Sequence, residues 1–382
     1  SGGSMAPSER RRAARLLAAL LALGAARGAA HDSFTVFSPD GRIPQLEHAQ
    51  EAVHRCGRAA VGVSMLGCAV VVAVLPRRAP DADTQPARVP AGRARHPSPL
   101  DDDLSDADAE LPRCVLPVGG AAVAGVVGLE ADAQAALSEL LRAARAHSST
   151  LGEHPAPGRV ACAFADAAQM RSQVLAERPL AVNALVAGAE DMAGTAEPEL
   201  RLFSAGIGGD FRRCRAACAG SGTEAATAWL EARAELFNET AHDPAWRGAP
   251  EEVRLSAAVA TALRAVREAL GGALQEDDFV DVGYCALSFT PGADGGCRGA
   301  PGVSAVEELA EPLVPAGGVR GARVGAASPE QARALLRWGV RVLGRDAAGM
   351  DGGAPARRLL GRAAEGVALP LEGDVSEFAA LL

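Results

Sequence analysis

The side chains that could do chemistry here are eight cysteines, seven histidines and a few serines in glycine-rich turns. The cysteines form no Cys-x-x-Cys pair and no zinc-type spacing with histidine, and most lie in apolar runs, which indicates free thiols in a reducing compartment. Neither Ser64 nor Ser221 occupies a nucleophile elbow, and no His-Glu-x-x-His motif occurs. The sequence therefore predicts no catalytic residue and no metal site.

All 38 basic residues are arginines, because the sequence contains no lysine. Lysine-dependent chemistry, such as a Schiff base, a lysine general base or a P-loop cation, is therefore excluded. The glycines around Ser221 then predict the start of a helix rather than a phosphate loop. The net charge of −9 and the scattered arginines also argue against a nucleic-acid partner. We expect neither a cofactor nor bound nucleic acid.

The elements that must position these residues come in groups rather than in strict alternation. They are a helix over 43–54, strand pairs at 59–65 with 68–75 and within 114–127, helices at 129–146 and 159–175, strands at 180–187, 200–203 and 212–219, helices at 223–236 and 251–270, and a strand at 280–287. Grouped strand pairs and helix pairs predict an α+β fold, with helices outside packed antiparallel sheets.

Three stretches fall outside this pattern. Residues 76–110 are rich in Pro, Arg and Asp and predict a loop insertion, and residues 288–365 predict a second insertion of uncertain order that contains one helix at 329–343. The chain then closes with a short strand at 367–371, a solvated acidic turn and residues 375–382. The main domain is thus expected to comprise residues 31–287 and 366–382.

Residues 1–30 form the third stretch, a leader. Its first four residues resemble an added linker, and an arginine cluster followed by the apolar run at 16–23 has the layout of a secretory signal peptide. The run is too short to span a bilayer, so no membrane association is expected. Two interpretations stay open: a targeting peptide, or an amphipathic or extended tail from an over-long gene model.

The segment at 35–63 resembles the N-terminal signature of proteasome alpha subunits. The family has a turn, a helix that begins after Gly-Arg, a Gln-hydrophobic-Glu-Tyr-Ala core and a glycine before the first strand. Here these are Gly41 with Arg42, the Gln-Leu-Glu-His-Ala run at 45–49, and Gly57. Only His48, where the family has tyrosine, departs clearly.

Further similarities follow in the family's order. The Gly-Leu-Glu-Ala-Asp-Ala run at 128–133 resembles the start of the family's first long helix, and Arg178 with Pro179 resembles its strand entry. The Gly-Ser-Gly-Thr-Glu-Ala run at 220–225 resembles another helix start. The resemblance covers roughly residues 35–75, 111–287 and 366–382.

The resemblance implies a four-layer αββα sandwich of the N-terminal nucleophile hydrolase type. It also implies partners: other alpha subunits in a seven-membered ring, the beta-ring subunits, and a regulatory particle or other activators, in the cytoplasm and nucleus. Catalysis in that fold uses a threonine freed at the chain's N-terminus, assisted by a lysine. Because Thr35 precedes the retained turn and helix, and lysine is absent, we expect a non-catalytic subunit that contributes to ubiquitin-dependent protein degradation.

The resemblance also implies two functional sites. One is a gate, in which His31 and Asp32 stand where the family has Tyr-Asp, and Pro39 forces a rigid reverse turn.

The other is an activator pocket formed by Glu47, Arg113, Cys114 and Gly128, in which Cys114 replaces the family's lysine and Arg113 could supply the charge. The structural alternatives are that 31–34 merely thread into the fold and that the pocket residues are a surface charge and a turn.

Two other functions remain as alternatives. The first is a decayed or compartment-targeted paralogue whose insertions prevent ring assembly. The second is an autonomous hydrolase of the same superfamily, exposed by cleavage of the leader. Cleavage after Ala30 would expose His31, which is not a nucleophile, and this disfavours the second alternative.

Overall fold

The computed structural model describes residue 38 and residues 40–76, 113–174, 177–191, 198–242, 244–272, 274–287, 289–291, 297–299, 322–347 and 370–382. Within these ranges, two five-stranded antiparallel sheets face each other, and helices cover the outer side of each sheet. The four-layer α+β sandwich expected from the sequence is therefore confirmed.

The helices and strands follow one another in the order that the apolar runs indicate. They are α1 (Pro44–His54), β1 (Ala59–Met65), β2 (Cys68–Leu75), β3 (Val115–Val118), β4 (Ala122–Gly128), α2 (Glu130–Leu151), α3 (Pro157–Gln173), β5 (Val182–Asp191), β6 (Pro198–Ala205), β7 (Phe211–Cys214), β8 (Ala216–Gly220), α4 (Thr223–Glu231), α5 (Ala234–His242), α6 (Glu251–Ala269), β9 (Phe279–Leu287), β10 (Phe289–Pro291), β11 (Cys297–Gly299), β12 (Ala322–Ala326), α7 (Pro329–Ala347) and α8 (Glu372–Leu381).

The first sheet has the strand order β12-β9-β2-β1-β8. Its centre is the predicted hairpin of β1 and β2, in which Met65 lies opposite Cys68. The two residues between them, Leu66 and Gly67, both have positive φ angles, 53° and 65°. Such backbone angles match the right-handed twist of the paired strands, so the tight turn fixes their register. Helices α4, α6, α7 and α8 cover the outer side of this sheet.

The second sheet has the order β3-β4-β5-β6-β7 and is covered by α2 and α3. Its central strand alternates between two cores, as the pleat requires. Ala184 and Val186 pack beneath the two helices, whereas Leu185 and Ala187 pack between the sheets. Both faces of the strand are thus buried, which explains its uninterrupted apolar sequence.

Glycines allow the two sheets to approach closely. A Cβ atom at Gly62 of β1 would lie 2.9 Å from Cδ1 of Leu202, and one at Gly125 of β4 would lie 2.7 Å from Cγ1 of Val71. Real Cβ contacts are essentially never this short, so a larger residue at either position would push the sheets apart.

Two segments that were each predicted to form one element form two elements each. The predicted strand at 212–219 changes sheets at Arg215, so that β7 pairs with β6 in one sheet and β8 pairs with β1 in the other. The predicted helix at 223–236 ends at Glu231, and a second helix begins at Ala234. Apolar periodicity misses the first break because Cys214 and Ala216, on either side of it, are both half-buried, whereas most residues at the second break are exposed.

The end of the chain differs from the prediction. Pro370 and Leu371 lie outside any strand, residues 367–369 lie outside the described ranges, and the predicted acidic turn is the first part of helix α8. Asp374 explains the helix, because its carboxylate accepts a hydrogen bond from the Leu371 backbone N–H, 2.8 Å away. Phe378 is fully buried against Trp338 of α7, so this acidic tail is not a solvated one.

Residues predicted to form insertions lie partly inside the sandwich. Within the range 288–365, β12 pairs with β9 at the edge of the first sheet, and α7 packs against α6 and β9. The helix in this range begins at Pro329, as predicted, and continues to Ala347. Residues 77–110 lie outside the described ranges.

Candidate functional site

The gate residues expected from the sequence, His31, Asp32 and Pro39, lie outside the described residues. Around them, Ser38 and Arg42 close a turn. The Ser38 backbone N–H donates to the Arg42 carbonyl at 2.8 Å, and the Arg42 N–H donates to the Ser38 hydroxyl oxygen at 3.1 Å. Gly41 has a φ of 75°, which suits glycine in such a turn. This turn directs the chain into α1.

Helix α1 begins with a proline at its first turn and docks by one narrow apolar face. Val53 and Ala49 are buried against Ala181 and Ile207, which lie beside the second sheet. Glu47, a predicted pocket residue, lies on the exposed side of the same helix and forms an ion pair with Arg42, with 2.7 Å between Oε1 and Nε. The helix is therefore held at one end of the sandwich, where strand β1 begins.

Cys114, the second predicted pocket residue, is almost fully buried where the chain enters β3. Its backbone N–H donates to Oδ2 of Asp281 at 2.8 Å, and its thiol lies 3.3 Å from the same oxygen. Burial raises the pKa of the Cys114 thiol far above its ordinary value. The position therefore holds a neutral group rather than the cation that the resemblance implies there.

Arg113 supplies a cation next to this thiol, but its guanidinium is already engaged. Nε lies 3.5 Å from Oδ1 of Asp281, and an Nη group donates to the carbonyl of Ala327. The side chain of Arg113 is 29% exposed, so it can still be reached from solvent. It is held in place by β9 on one side and by the chain after β12 on the other.

Arg58 is the other cation of this region, and it lies directly before β1. It is buried, and its Nη2 lies 3.5 Å from a carboxylate oxygen of Glu130 at the start of α2. Burial alone would lower the pKa of Arg58, but its interactions with Cys114, Glu130 and Asp281 raise that pKa above its ordinary value. Arg58 is therefore charged, and it ties the start of the first strand to α2.

Gly128, the last predicted pocket residue, lies at the end of β4 where the chain passes close to β5. A Cβ atom there would lie 2.0 Å from the carbonyl oxygen of Ala181, so only glycine fits. The next residue, Leu129, donates its backbone N–H to the same carbonyl at 2.9 Å. This close approach fixes the direction in which α2 leaves the sheet.

The structure thus brings three of the four pocket residues to one end of the sandwich. Arg113 and Cys114 share Asp281, and Gly128 lies two residues before Glu130. Glu47 instead forms an ion pair with Arg42 on the exposed side of α1. The pocket itself stays a prediction, because a pocket of the kind that the resemblance implies would lie between this chain and a second one.

Sequence reasoning missed Arg58, Glu130 and Asp281, which surround the pocket residues. A detectable signal existed for two of them. Arg58 is a charged residue directly before the apolar run of β1, and Asp281 interrupts the otherwise apolar run of β9. Charged residues beside or within buried strands are costly unless they are paired, so both positions indicate a partner.

The hydroxyl of Ser221 has a structural role. Ser221 accepts a hydrogen bond from the Gly57 backbone N–H at 2.8 Å and donates to the His54 carbonyl at 2.7 Å, so its hydroxyl is used to join α1 to α4. No group of three or more His, Cys, Asp or Glu residues in the described ranges could hold a metal ion. In the same ranges, no helix is long and apolar enough to cross a membrane.

Comparison with known proteins relates this chain to a protein family. The proteasome subunit family matches residues 113–284, and the N-terminal signature of proteasome alpha subunits matches residues 31–52. The first range contains Arg113, Cys114 and Gly128, and the second contains the expected gate residues and Glu47.

Two curated relatives agree with these matches. A probable proteasome subunit alpha type-1 from Schizosaccharomyces pombe is 29% identical over 202 residues, which is 53% of this chain and 70% of the relative. Proteasome subunit alpha type-1 from Drosophila melanogaster is 29% identical over 210 residues, which is 55% of this chain and 63% of the relative. Alpha type 1 is also the member whose ending the Asp-Val-Ser-Glu-Phe run at 374–378 resembles.

The fold is a four-layer sandwich of the N-terminal nucleophile hydrolase type. The sequence is similar to those of proteasome alpha-type subunits, since residues 113–284 match the proteasome subunit family and residues 31–52 carry the alpha-type N-terminal signature. Alpha-type subunits are structural components of the 20S core, where they assemble with other proteasome subunits in rings.

Proposed function

We propose that this chain is a non-catalytic subunit of the alpha ring of the 20S proteasome, where it builds the ring, contributes to the gate and serves ubiquitin-dependent protein degradation. One observation carries the proposal. Where a catalytic relative would present a free N-terminal nucleophile at the start of its first strand, this chain continues from α1 through Gly57 into β1, and the position before β1 is the buried Arg58. No hydroxyl or thiol nucleophile begins the strand.

The proposed partners follow from the ring. They are the neighbouring alpha subunits, the beta-ring subunits, and a regulatory particle or another activator. The segment before Ser38, including His31 and Asp32, would form this chain's part of the gate, and Pro39 would set the turn that aims it. Support comes from the match of the alpha-type signature to residues 31–52 and from the rigid docking of α1 directly behind the turn.

We further propose that Arg113 is the cation of this chain's activator pocket. Cys114 is neutral and Arg58 is buried, so Arg113 is the cation of this group that solvent can reach. A carboxylate from an activator tail would compete with Asp281 for the guanidinium, and binding at this pocket is therefore expected to be weak. Glu47 and Gly128 would shape its rim and floor.

A cytoplasmic and nuclear location is proposed on the same grounds, with the signal-like leader as the feature that could send the chain elsewhere.

A decayed or targeted paralogue that does not enter the particle is the second candidate. The feature that favours it is the signal-like layout of residues 9–30. Fluorescence imaging of the tagged chain, with and without residues 1–30, separates the two locations.

The gating role can be tested in isolated particles with two deletions. Particles are purified through a tag on this chain, and hydrolysis of a fluorogenic peptide is measured for the full chain, for a chain lacking residues 1–30 and for one lacking residues 1–37. We expect faster hydrolysis only for the longer deletion, because it removes the proposed gate segment. Equal rates for all three would contradict gating, and hydrolysis by the isolated chain would contradict the non-catalytic assignment.

A further inference from the structure

One side of the sandwich ends in two neighbouring strand edges. Strand β7 is the last strand of the second sheet and β8 the last of the first, and Arg215 alone separates them along the chain. In the part of the chain that the structure describes, β7 pairs only with β6 and β8 only with β1. Each strand therefore presents one row of backbone N–H and C=O groups that has no strand partner there.

The edge formed by β7 and Arg215 is basic, whereas β8 contains no charged residue. Arg212 and Arg213 are exposed on β7, and Arg215 is half-buried at the point where the chain changes sheets. Arg213 forms an ion pair with Glu199, whereas Arg212 and Arg215 have no salt bridge within the described residues. The chain as a whole carries a net charge of −9, so this basic edge has the opposite sign to the molecule around it.

The arginines of the basic edge are spread over both faces of β7. Arg213 lies opposite Phe203, which packs under the helices, whereas Arg212 lies opposite Ser204 and alternates to the other face. Phe211 adds an apolar surface, since its side chain is 43% exposed although its ring packs 6.3 Å from that of Phe203.

The arginines also repel one another. Burial lowers the pKa of Arg215, and the neighbouring Arg213 lowers it further, while Glu199 compensates only in part. An anionic partner at this place would relieve the repulsion. Charged side chains protect edge strands from unwanted pairing, but such protection does not call for the exposed aromatic ring of Phe211 beside the three arginines.

We propose that the basic edge of β7, formed by residues 211–215, binds an extended acidic segment of another polypeptide as an additional strand. The unpaired backbone of β7 would pair with the segment, its carboxylates would lie on the face of Arg212, and its end would lie near Arg215, directly after the strand. Alternate apolar side chains of the segment would cover Phe211. The proposal does not depend on assembly into a ring, because the whole edge belongs to this chain.

The full chain can be tested alone by fluorescence anisotropy with a short fluorescein-labelled peptide of alternating glutamate and valine. We expect saturable binding that the double variant Arg212→Glu, Arg215→Glu weakens by about tenfold or more, because each reversal replaces an attraction by a repulsion. The matched control is Arg337→Glu, an exposed arginine on the distant helix α7, which should leave the affinity unchanged. A peptide of alternating lysine and valine should not bind.

Two further arms separate strand pairing from simple charge attraction. A glutamate-valine peptide with alternate N-methylated backbone nitrogens keeps its charge but cannot pair, so it should bind at least about tenfold more weakly. Equal binding of this peptide, or displacement of the original peptide by single-stranded DNA of equal charge, would overturn the proposal. If the double variant unfolds, the single variant Arg212→Gln, at an exposed position, is tested instead. Unchanged affinity of this variant for the glutamate-valine peptide would overturn the proposal.

Discussion

At the scale of single residues, Asp132 is the carboxylate that joins α2 to the start of β5. Its two oxygens accept hydrogen bonds from the guanidinium of Arg178 at 2.5 and 2.6 Å, and one of them also accepts from the backbone N–H of Ala181 at 2.9 Å. The carboxylate is buried although Arg178 is largely exposed. Removing its charge would leave the bidentate pair and the buried N–H with a poorer acceptor.

We expect Asp132→Asn to lower the free energy of unfolding at neutral pH by about 2 kcal/mol, because hydrogen bonds to a buried charged group are lost. Chemical denaturation of the purified chain measures this. Glu139→Gln is the matched control, since Glu139 pairs with Arg142 on the exposed side of the same helix and such pairs contribute about 0 to 1 kcal/mol. A loss as small as that of the control would contradict the account of Asp132.

The same carboxylate predicts a pH dependence. Burial acts to raise the pKa of Asp132, but the hydrogen bonds from Arg178 and Ala181 outweigh it, so the pKa is lowered in the folded chain. Its stabilisation is therefore present above the unfolded value of about 3.9 and is lost as the pH falls through the lower folded pKa. The difference in stability between the native sequence and Asp132→Asn should be constant above about pH 5 and shrink in acid.

Replacing glycine by alanine is expected to have opposite effects on stability at two positions. Gly128→Ala should cost about 3 kcal/mol or more, because the new methyl group would lie 2.0 Å from the Ala181 carbonyl. Gly344→Ala should instead stabilise by about 0.5 to 1 kcal/mol, since Gly344 lies exposed in helix α7 with no atom within 4 Å of an added Cβ. Thermal unfolding measures both changes, and a neutral Gly128→Ala would show that β4 and β5 do not approach as described.

At the scale of elements, helix α8 depends on one aromatic contact. The rings of Phe378 and Trp338 lie 5.0 Å apart, and the Trp338 indole N–H donates to the Asp374 carbonyl at 2.9 Å. Both side chains are buried, whereas Glu377 on the same helix forms an exposed ion pair with Arg341. The helix is thus held by its apolar face rather than by its charges.

We expect Phe378→Ala to destabilise the protein by about 3 to 5 kcal/mol, the usual cost of removing a buried phenylalanine. Hydrogen exchange should show the backbone of residues 372–381 exchanging much faster while the central strands change little. Glu377→Ala is the control and should cost less than about 1 kcal/mol. Slow exchange in α8 after the loss of Phe378 would contradict this account.

The sequence predicts the elements whose burial is periodic and misses those whose neighbours are distant. The β1–β2 hairpin is predicted to the residue because its apolar runs and its turn are local. The change of sheet at Arg215 and the helix at 372–381 are not, because they depend on pairing with β6 and β1 and on contact with Trp338.

The candidate site shows the same division. Arg113, Cys114 and Gly128 could be named from a resemblance, and the structure places them at one end of the sandwich. The charged positions Arg58 and Asp281 indicate only that each has a partner; that Asp281 pairs with Cys114 could not be named, because these residues are 167 positions apart and meet only after the sheets have packed. The neutral state of Cys114 likewise follows from its burial beside Asp281 rather than from its residue type.

At the scale of the whole molecule, the fold agrees with the family match, and the proposed function requires that this chain assemble into a ring with other subunits. The two sheets and their helices form the alpha-type sandwich, whereas the ring neighbours that would complete the gate and the pocket are separate chains. The central claim is therefore that this chain enters a proteasome core particle without contributing catalysis.

Native mass spectrometry of the tagged protein, purified from its own cells and followed by an intact-mass measurement of this chain, tests that claim most directly. The account predicts a particle of about 28 subunits that contains this chain, with its N-terminal mass showing whether residues 1–30 are retained. Recovery only as a free monomer cleaved within the leader would contradict the claim and would favour the compartment-targeted paralogue.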